Sequence, residues 1–302
     1  MVAENVDPAE DGLHHKKNTD YRCAAHRLAA YLGRALAGQT PQEWERYTLE
    51  AAGAGEGTLP RVALVVPILN QASAGYNDVL YGRDAVNLLP TVFHPNELLD
   101  GAIVSNSFCP KGINWSTYDW QNLPLVKRLY QKHGKTLDFV GVILAPSEES
   151  DLRKQQVRVR VGELAQLLRC DGALLVEWGG GNMDVDFFYC FAELEDRGIK
   201  TAGLISEHAG HDGLSQSKVL LDAKADAIVS ATNAAQLIEL PPMEHVLGDI
   251  QCLVRDNFPG AWAENRTYGP SLRADGSVLV DMQTIVGADG TAGWSCKTVK
   301  DF

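Results

Sequence analysis

The sequence predicts an α/β protein: a mostly parallel sheet with helices on both faces, in Rossmann-like layers, followed by a turn-rich β segment at the C-terminal end. Three observations predict it. Short β-branched runs alternate with longer helical segments from Val62 to Ile238. Those runs are almost continuously apolar, as strands covered on both faces are. Glycines at 260, 269, 276, 287, 290 and 293 then cut the last third into short pieces such as Val278–Met282.

Taken in order, residues 1–20 are polar and charged and read as a flexible N-terminal arm ahead of an α/β region over 21–302, which the length allows as one large domain or two closely packed lobes. From Tyr21 to about Leu36 the positions Leu28, Tyr31, Leu32 and Leu36 recur at helical spacing, with Gly38 as a stop. Ala51–Gly57 reads as a loop. The strands predicted after it are Val62–Ile68, Leu89–Phe93, Ala102–Ser105, Phe139–Leu144, Ala173–Glu177, Lys200–Ile205 and Ala227–Ser230. The helices are Asn122–His133, Ser150–Leu168, Asp184–Arg197, Ser215–Ala223 and Ala234–Ile238. Within the second of these, Gln156–Val161 has the alternation of a strand inside a helical frame.

Composition narrows the function. The chain has 302 residues, 45% hydrophobic and 22% charged, enough to bury a sizeable core. Its net charge of −12 speaks against a nucleic-acid partner. Its apolar runs are far shorter than a membrane span of about 18 residues, and the polar N-terminus has no signal-peptide core, so the expected location is the cytoplasm. Cys23, Cys109, Cys170, Cys190, Cys252 and Cys296 are scattered singly, without the pairing of a structural zinc site or a disulfide framework.

Ligands of open α/β sheets collect beyond the carboxyl ends of the strands. Four polar clusters follow predicted strands: Asn70-Gln71; Asn106-Ser107-Phe108-Cys109-Pro110-Lys111-Gly112; Gly179-Gly180-Gly181-Asn182-Met183-Asp184, directly behind Glu177; and Glu207-His208-Ala209-Gly210-His211-Asp212-Gly213. The glycine turn either offers backbone N–H groups to an anion or is a tight strand-to-helix turn capped by Asn182 or Asp184. It lacks the third glycine of a dinucleotide fingerprint, so no nucleotide cofactor is expected. His208 and His211 are candidate proton handlers with Asp212, or else capping groups. Their spacing fixes no shared face, and metal is not expected. Cys109 lies in a Ser/Asn/Gly/Pro loop where a thiol can be exposed and activated, whereas Cys170 and Cys190 read as core fillers. Trp115, Tyr118 and Trp120 either wall a pocket for a cationic amine or pack that loop down.

The ordered string Tyr81-Gly82-Arg83-Asp84, Leu89-Pro90-Thr91, His94-Pro95-Asn96-Glu97, Asp100-Gly101-Ala102-Ile103-Val104-Ser105, His133-Gly134-Lys135, Phe139–Ile143, Gly198-Ile199-Lys200-Thr201, Asp212-Gly213 with Ser215-Gln216-Ser217, Leu240-Pro241-Pro242-Met243 and Ser271–Ser277 resembles the pyruvoyl-bearing subunit of glycine/sarcosine/betaine reductase component B and of D-proline reductase. The likeness runs from about Asp11 to the C-terminal end. It implies a hetero-oligomer that reductively cleaves a C–N bond beside an amine, with a selenocysteine or cysteine nucleophile on a second reductase subunit. It also implies autocatalytic cleavage of a proprotein before a cysteine, which becomes a covalent pyruvoyl group. Counted without gaps from Asp100, the family's cleaved cysteine falls on Phe108, and Cys109 is one residue further on.

Three readings follow. In the first, Cys109 is the pyruvoyl source, or itself a nucleophile, with His208, His211 and Asp212 handling protons. Asn70, Asn106, Ser107, Glu177, Asn182, Glu207, Ser215 and Gln216 then bind a small amine substrate. The second is an uncleaved relative serving as a ligand-binding or scaffold subunit, and the third is a pyruvoyl-independent enzyme using Cys109 or a metal.

Overall fold

The computed structural model describes residues 14–49, 59–71, 76–105, 115–178, 180–242, 271–282 and 289–294. Among the described residues the strands are β1 (Arg61–Gln71), β2 (Tyr76–Asn77), β3 (Val79–Leu80), β4 (Arg83–Asp84), β5 (Thr91–Phe93), β6 (Ile103–Val104), β7 (Asp138–Ser147), β8 (Gly172–Val176), β9 (Lys200–Glu207), β10 (Ile228–Asn233), β11 (Leu237–Leu240) and β12 (Val278–Asp281). Its helices are α1 (His14–Arg34), α2 (Pro95–Leu99), α3 (Thr117–Gln121), α4 (Pro124–Lys132), α5 (Asp151–Leu167), α6 (Asn182–Asp196) and α7 (Asp289–Ala292).

The main sheet runs β10-β9-β8-β1-β7-β5, with β2 on the end of β1. Neighbours from β10 to β7 are parallel and β5 is antiparallel. The parallel strands therefore have the doubly wound order 2-1-3-4-5, and the winding reverses between β1 and β8, the place where such sheets bind ligands. Strand β1 is central, so both its faces are covered. Leu64, Val66 and Ile68 join the core beneath α2, α3 and α4, with Leu98, Trp120, Val126 and Leu129. Ala63 and Val65 join the opposite core beneath α5 and α6, with Val157, Val161, Phe187, Phe188, Phe191 and Leu194.

The alternating stretch Gln156–Val161 is helical, because Val157 and Val161, one turn apart, are the residues that reach the sheet. Strand β7 carries a bulge at Gly141 (φ +146°), opposite the register shift between Val62 and Ala63. Gly203 in β9 serves a different need: a Cβ there would lie 2.5 Å from Cζ of Phe187, so the glycine lets α6 press against the sheet.

Several expectations are corrected. Helix α1 begins at His14, inside the stretch read as an arm. Strand β6 lies outside the main sheet, in a small antiparallel sheet β4-β3-β6, so the loop after it does not leave a main-sheet strand. Residues 215–223 form no helix, because the Lys218 side chain is drawn inward while Leu214, Val219 and Leu221 stay exposed. The helix expected at Ala234–Ile238 is a turn into β11. Asn233 Oδ1 accepts from Ala235 N (3.2 Å), and Leu237–Leu240 pair antiparallel with β12 of the β-rich tail.

The close approach of α6 generates a stability prediction. Gly203→Ala should cost about 1–3 kcal/mol by overpacking. Gly33→Ala, in helix α1 with open space around its Cα, should be neutral or stabilising by up to about 1 kcal/mol. Urea unfolding of the two variants checks the contrast.

Candidate functional site

The carboxyl ends of β1, β7, β8 and β9 carry two buried lysine–carboxylate clusters, one on each side of the first turn of α6. In the first, Lys218 Nζ donates to Glu177 Oε2 (2.5 Å), Asp184 Oδ1 (3.2 Å) and the Ser206 carbonyl (2.5 Å). Asp184 Oδ2 accepts from Val219 N (2.8 Å). All three charged side chains are at most 3% exposed. Burial, reinforced by a hydrogen bond shared with Asp184, pushes the Glu177 carboxyl well above the ordinary carboxylate range despite the pull of Lys218.

In the second cluster Lys154 Nζ donates to Asp186 Oδ2 (2.5 Å) and to the Asn182 carbonyl (3.1 Å). Burial outweighs Lys154 and raises the Asp186 carboxyl to about 7. A cavity of about 20 Å³, the size of one water, has Ser147, Glu177, Trp178, Met183 and Asp186 in its wall and so lies between the clusters.

Asn70 and Asn182 both reach Glu148, the residue that follows β7. Asn70 Nδ2 donates to Glu148 Oε1 (2.7 Å), and its Oδ1 accepts from Asn87 N (3.1 Å). Asn182 Nδ2 donates to the Glu148 carbonyl (3.0 Å). The Glu148 carboxyl is itself raised by burial. The turn before α6 is not capped as expected: Gly181 (φ +71°) is the N-cap and no side chain closes it, since Asn182 and Asp184 are engaged elsewhere. The first N–H groups of α6 thus lack a side-chain cap at the switch point, an arrangement suited to an anion.

His208 packs on this turn, its Cδ2 standing 3.0 Å from where a Cβ of Gly180 would be. Its Nε2 is buried and has no hydrogen-bond partner. Burial and the nearby Lys218 ammonium hold the imidazole below its ordinary range. The other histidine-loop candidates lie further out. His211 is half-buried, and Asp212 is exposed with Oδ1 accepting from Leu214 N (3.0 Å). Ser215 N donates to the Ala209 carbonyl (2.9 Å), and Gln216 Nε2 donates to the Lys218 carbonyl (2.8 Å). Glu207 Oε2 accepts from Ser230 Oγ (2.6 Å) at the β10 edge.

Asn106, Ser107, Phe108 and Cys109 lie outside the described residues, as do Cys252 and Cys296. The ends of their segment are placed: Ser105 N donates to Thr117 Oγ1 (3.1 Å), and the buried Trp115 ring packs edge-on against Trp178 (4.9 Å), the neighbour of Glu177. Trp115 and Trp120 are buried and pack on one another and on Trp178, while Tyr118 is exposed and stacks on Trp294. Cys190 is buried and its thiol strongly raised; the half-buried Cys170 is raised to about 11, also by burial, so both are inert. Among the described residues no three His, Cys, Asp or Glu side chains gather as a metal site.

Lys218, Lys154, Asp186, Glu148 and Ser206 were absent from the sequence reading. Lys218 did leave a signal, a single charge ahead of the apolar run Val219-Leu220-Leu221. Lys218→Met should destabilise the protein by about 3–5 kcal/mol by leaving buried acids uncompensated, and adding Glu177→Gln should recover part of the loss in urea unfolding. Because the folded-state pKa of Asp186 lies above its ordinary 3.8, its contribution to stability is complete below about pH 4 and is lost as the pH rises through about 7. Asp186→Asn should flatten that slope when unfolding is followed against pH.

Over residues 2–300 the chain matches the family described as glycine/sarcosine/betaine reductase component B subunits. It is 44% identical, over 306 aligned positions, to the betaine reductase complex component B subunit alpha of Peptoclostridium acidaminophilum, covering 100% of this chain and 69% of that protein. It is 35% identical over 300 positions to the glycine reductase complex component B subunits alpha and beta of the same organism, with 97% and 67% covered. A shorter stretch of 117 positions is 29% identical to the D-proline reductase proprotein of Acetoanaerobium sticklandii, covering 38% of this chain and 18% of that protein. No solved structure matches the chain. The motif order read from the sequence and these full-length similarities agree, and the chain belongs to the glycine/sarcosine/betaine reductase component B family.

Proposed function

We propose that this subunit of a reductase complex takes part in reductive cleavage of the C–N bond of a small amino-acetate, with Cys109 as the source of a pyruvoyl group. The relatives are named for betaine, glycine and sarcosine, which share nitrogen, one CH₂ and a carboxylate. A thiolate or selenolate of a partner subunit attacks the CH₂, the C–N electron pair leaves with nitrogen, and one proton is supplied to the departing amine. The pyruvoyl ketone, once formed, would supply an electrophilic carbonyl to an amine with a free lone pair, as in glycine or sarcosine, which the quaternary nitrogen of betaine lacks.

The observation that carries the reading is the meeting of the β8 and β9 loops at the reversal of the sheet, with His208 against Gly180. There the N–H groups at the start of α6 receive the substrate carboxylate. His208, kept neutral with Nε2 free, takes up a proton and passes it to the departing nitrogen. Asn70, Glu177 and Asn182 hold the walls, and Glu207, His211, Asp212, Ser215 and Gln216 shape the outer turn. Trp115 returns the segment bearing Asn106, Ser107 and Cys109 to the core beside Trp178, which is why we assign that segment to the same cleft. Among the described residues no helix is long and apolar enough to cross a membrane, and we assign the complex to the cytoplasm.

The test is the intact mass of purified protein under denaturing conditions, with hydrazine or borohydride to trap a ketone. Two fragments divided between Phe108 and Cys109, the second carrying a trappable carbonyl, are expected, and Cys109→Ala should stay whole. One chain of 32.9 kDa without a carbonyl overturns the pyruvoyl assignment and favours the uncleaved, ligand-binding reading. In the reconstituted complex His208→Asn should lower turnover about 100-fold or more without loss of folding.

A further inference from the structure

Each buried lysine uses one oxygen of its acid and leaves the other without a donor. Lys218 Nζ donates to Oε2 of Glu177, and Lys154 Nζ to Oδ2 of Asp186, while Glu177 Oε1 and Asp186 Oδ1 are buried with no hydrogen-bond partner. A buried acceptor that accepts nothing carries its whole desolvation penalty. Two such residues in the wall of one cavity ask for a donor that serves both.

The cavity of about 20 Å³ between α6 and the sheet has both acids in its wall, with Ser147 as a third polar residue. Glu177 and Ser147 are each 1% exposed. Trp178 lines it too, but its ring belongs to the core on the opposite face of the sheet. Ala145 and Leu175 from the strands and Phe187 from α6 close the space with apolar surface. A water needs about 10–15 Å³ and two to four polar partners. The wall offers three: the two free carboxyl oxygens and Ser147 Oγ, which otherwise reaches Asp186 Oδ2 only at 3.4 Å. A divalent cation asks for about six oxygen ligands and would stand between two ammonium groups.

We propose that this cavity is the site of one internal water, which hydrogen-bonds Glu177 Oε1, Asp186 Oδ1 and Ser147 Oγ and so joins the two lysine–carboxylate clusters into a single network beneath α6. The water donates to a carboxyl that is ionised and accepts from one that holds a proton, so the two acids titrate as a pair. The other charged groups around them belong to known contacts. Glu177 is faced by Lys218 from the loop after β9 and by Asp184 from α6, beyond which lies His208. Asp186 is faced by Lys154 from α5 and by Glu148 after β7, and the Cys190 thiol in the cavity wall is kept neutral by burial. The proposal does not depend on whether the bond before Cys109 is cut.

A crystal structure of the full chain in which ordered solvent is visible tests it. One water within about 3.2 Å of both free oxygens is expected. A cavity without it, or the two carboxyls bonded directly to each other, overturns the proposal. Lys154→Met together with Asp186→Leu removes one charge pair as a unit, a replacement that buried pairs tolerate, and sets a leucine against the cavity. That variant should fold and lack the water. Its Glu177 carboxyl, followed by ¹³C NMR, should titrate at higher pH than in the parent, because the ionised form has lost a donor. A folded variant with an unmoved Glu177 midpoint also overturns the proposal, and if the variant does not fold the parent structure decides alone.

Discussion

A lysine ammonium withdrawn from water costs several kcal/mol unless opposite charge and hydrogen-bond acceptors surround it. Lys218 meets that demand with one group from each of three elements: Glu177 at the end of β8, Asp184 in the first turn of α6, and the Ser206 carbonyl near the end of β9. Few arrangements of β8, α6 and β9 satisfy all three at once. The cluster therefore fixes the loop after β9, which has no helix or strand of its own, and with it the position of His208. Two carboxyls face one ammonium, and burial together with the bond shared with Asp184 pushes the Glu177 carboxyl upward, toward its neutral form.

The same helix is held from its other side by Lys154 through Asp186 and the Asn182 carbonyl. With Asn182 and Asp184 committed to these contacts, the start of α6 is left to Gly181, whose lack of a side chain keeps the helix end accessible. Structural economy and chemistry meet here. Glu177, Asp184, Lys218 and Lys154 are buried away from solvent, while the start of α6 and His208 meet at the turn between β8 and β9.

Much of the fold was legible because its strands are short and apolar and its helices α4, α5 and α6 carry the spacing of a buried face; Val157 and Val161 settled even the ambiguous stretch of α5. The segments misread, 215–223 and 234–238, are governed by single side-chain contacts, Lys218 to the acids and Asn233 to its own turn, which leave little periodic trace. At the site, Asn70, Glu177, Asn182 and His208 could be picked out because they follow strands. Lys218 and Asp186 could not, since their partners lie 41 and 32 residues away in sequence, at Glu177 and Lys154. The small sheet holding β6 escaped for a related reason: strands of two residues have no pattern to read.

The central claim is that Lys218, held by Glu177, Asp184 and the Ser206 carbonyl, locks the β8–α6–β9 junction together and that this burial favours a proton on Glu177. Carboxyl ¹³C NMR of glutamate-labelled protein, assigned by the signal lost in Glu177→Gln, reads that proton directly. The account predicts a titration midpoint well above that of a surface glutamate. A signal that titrates as a surface glutamate does, near 4.3, would contradict it.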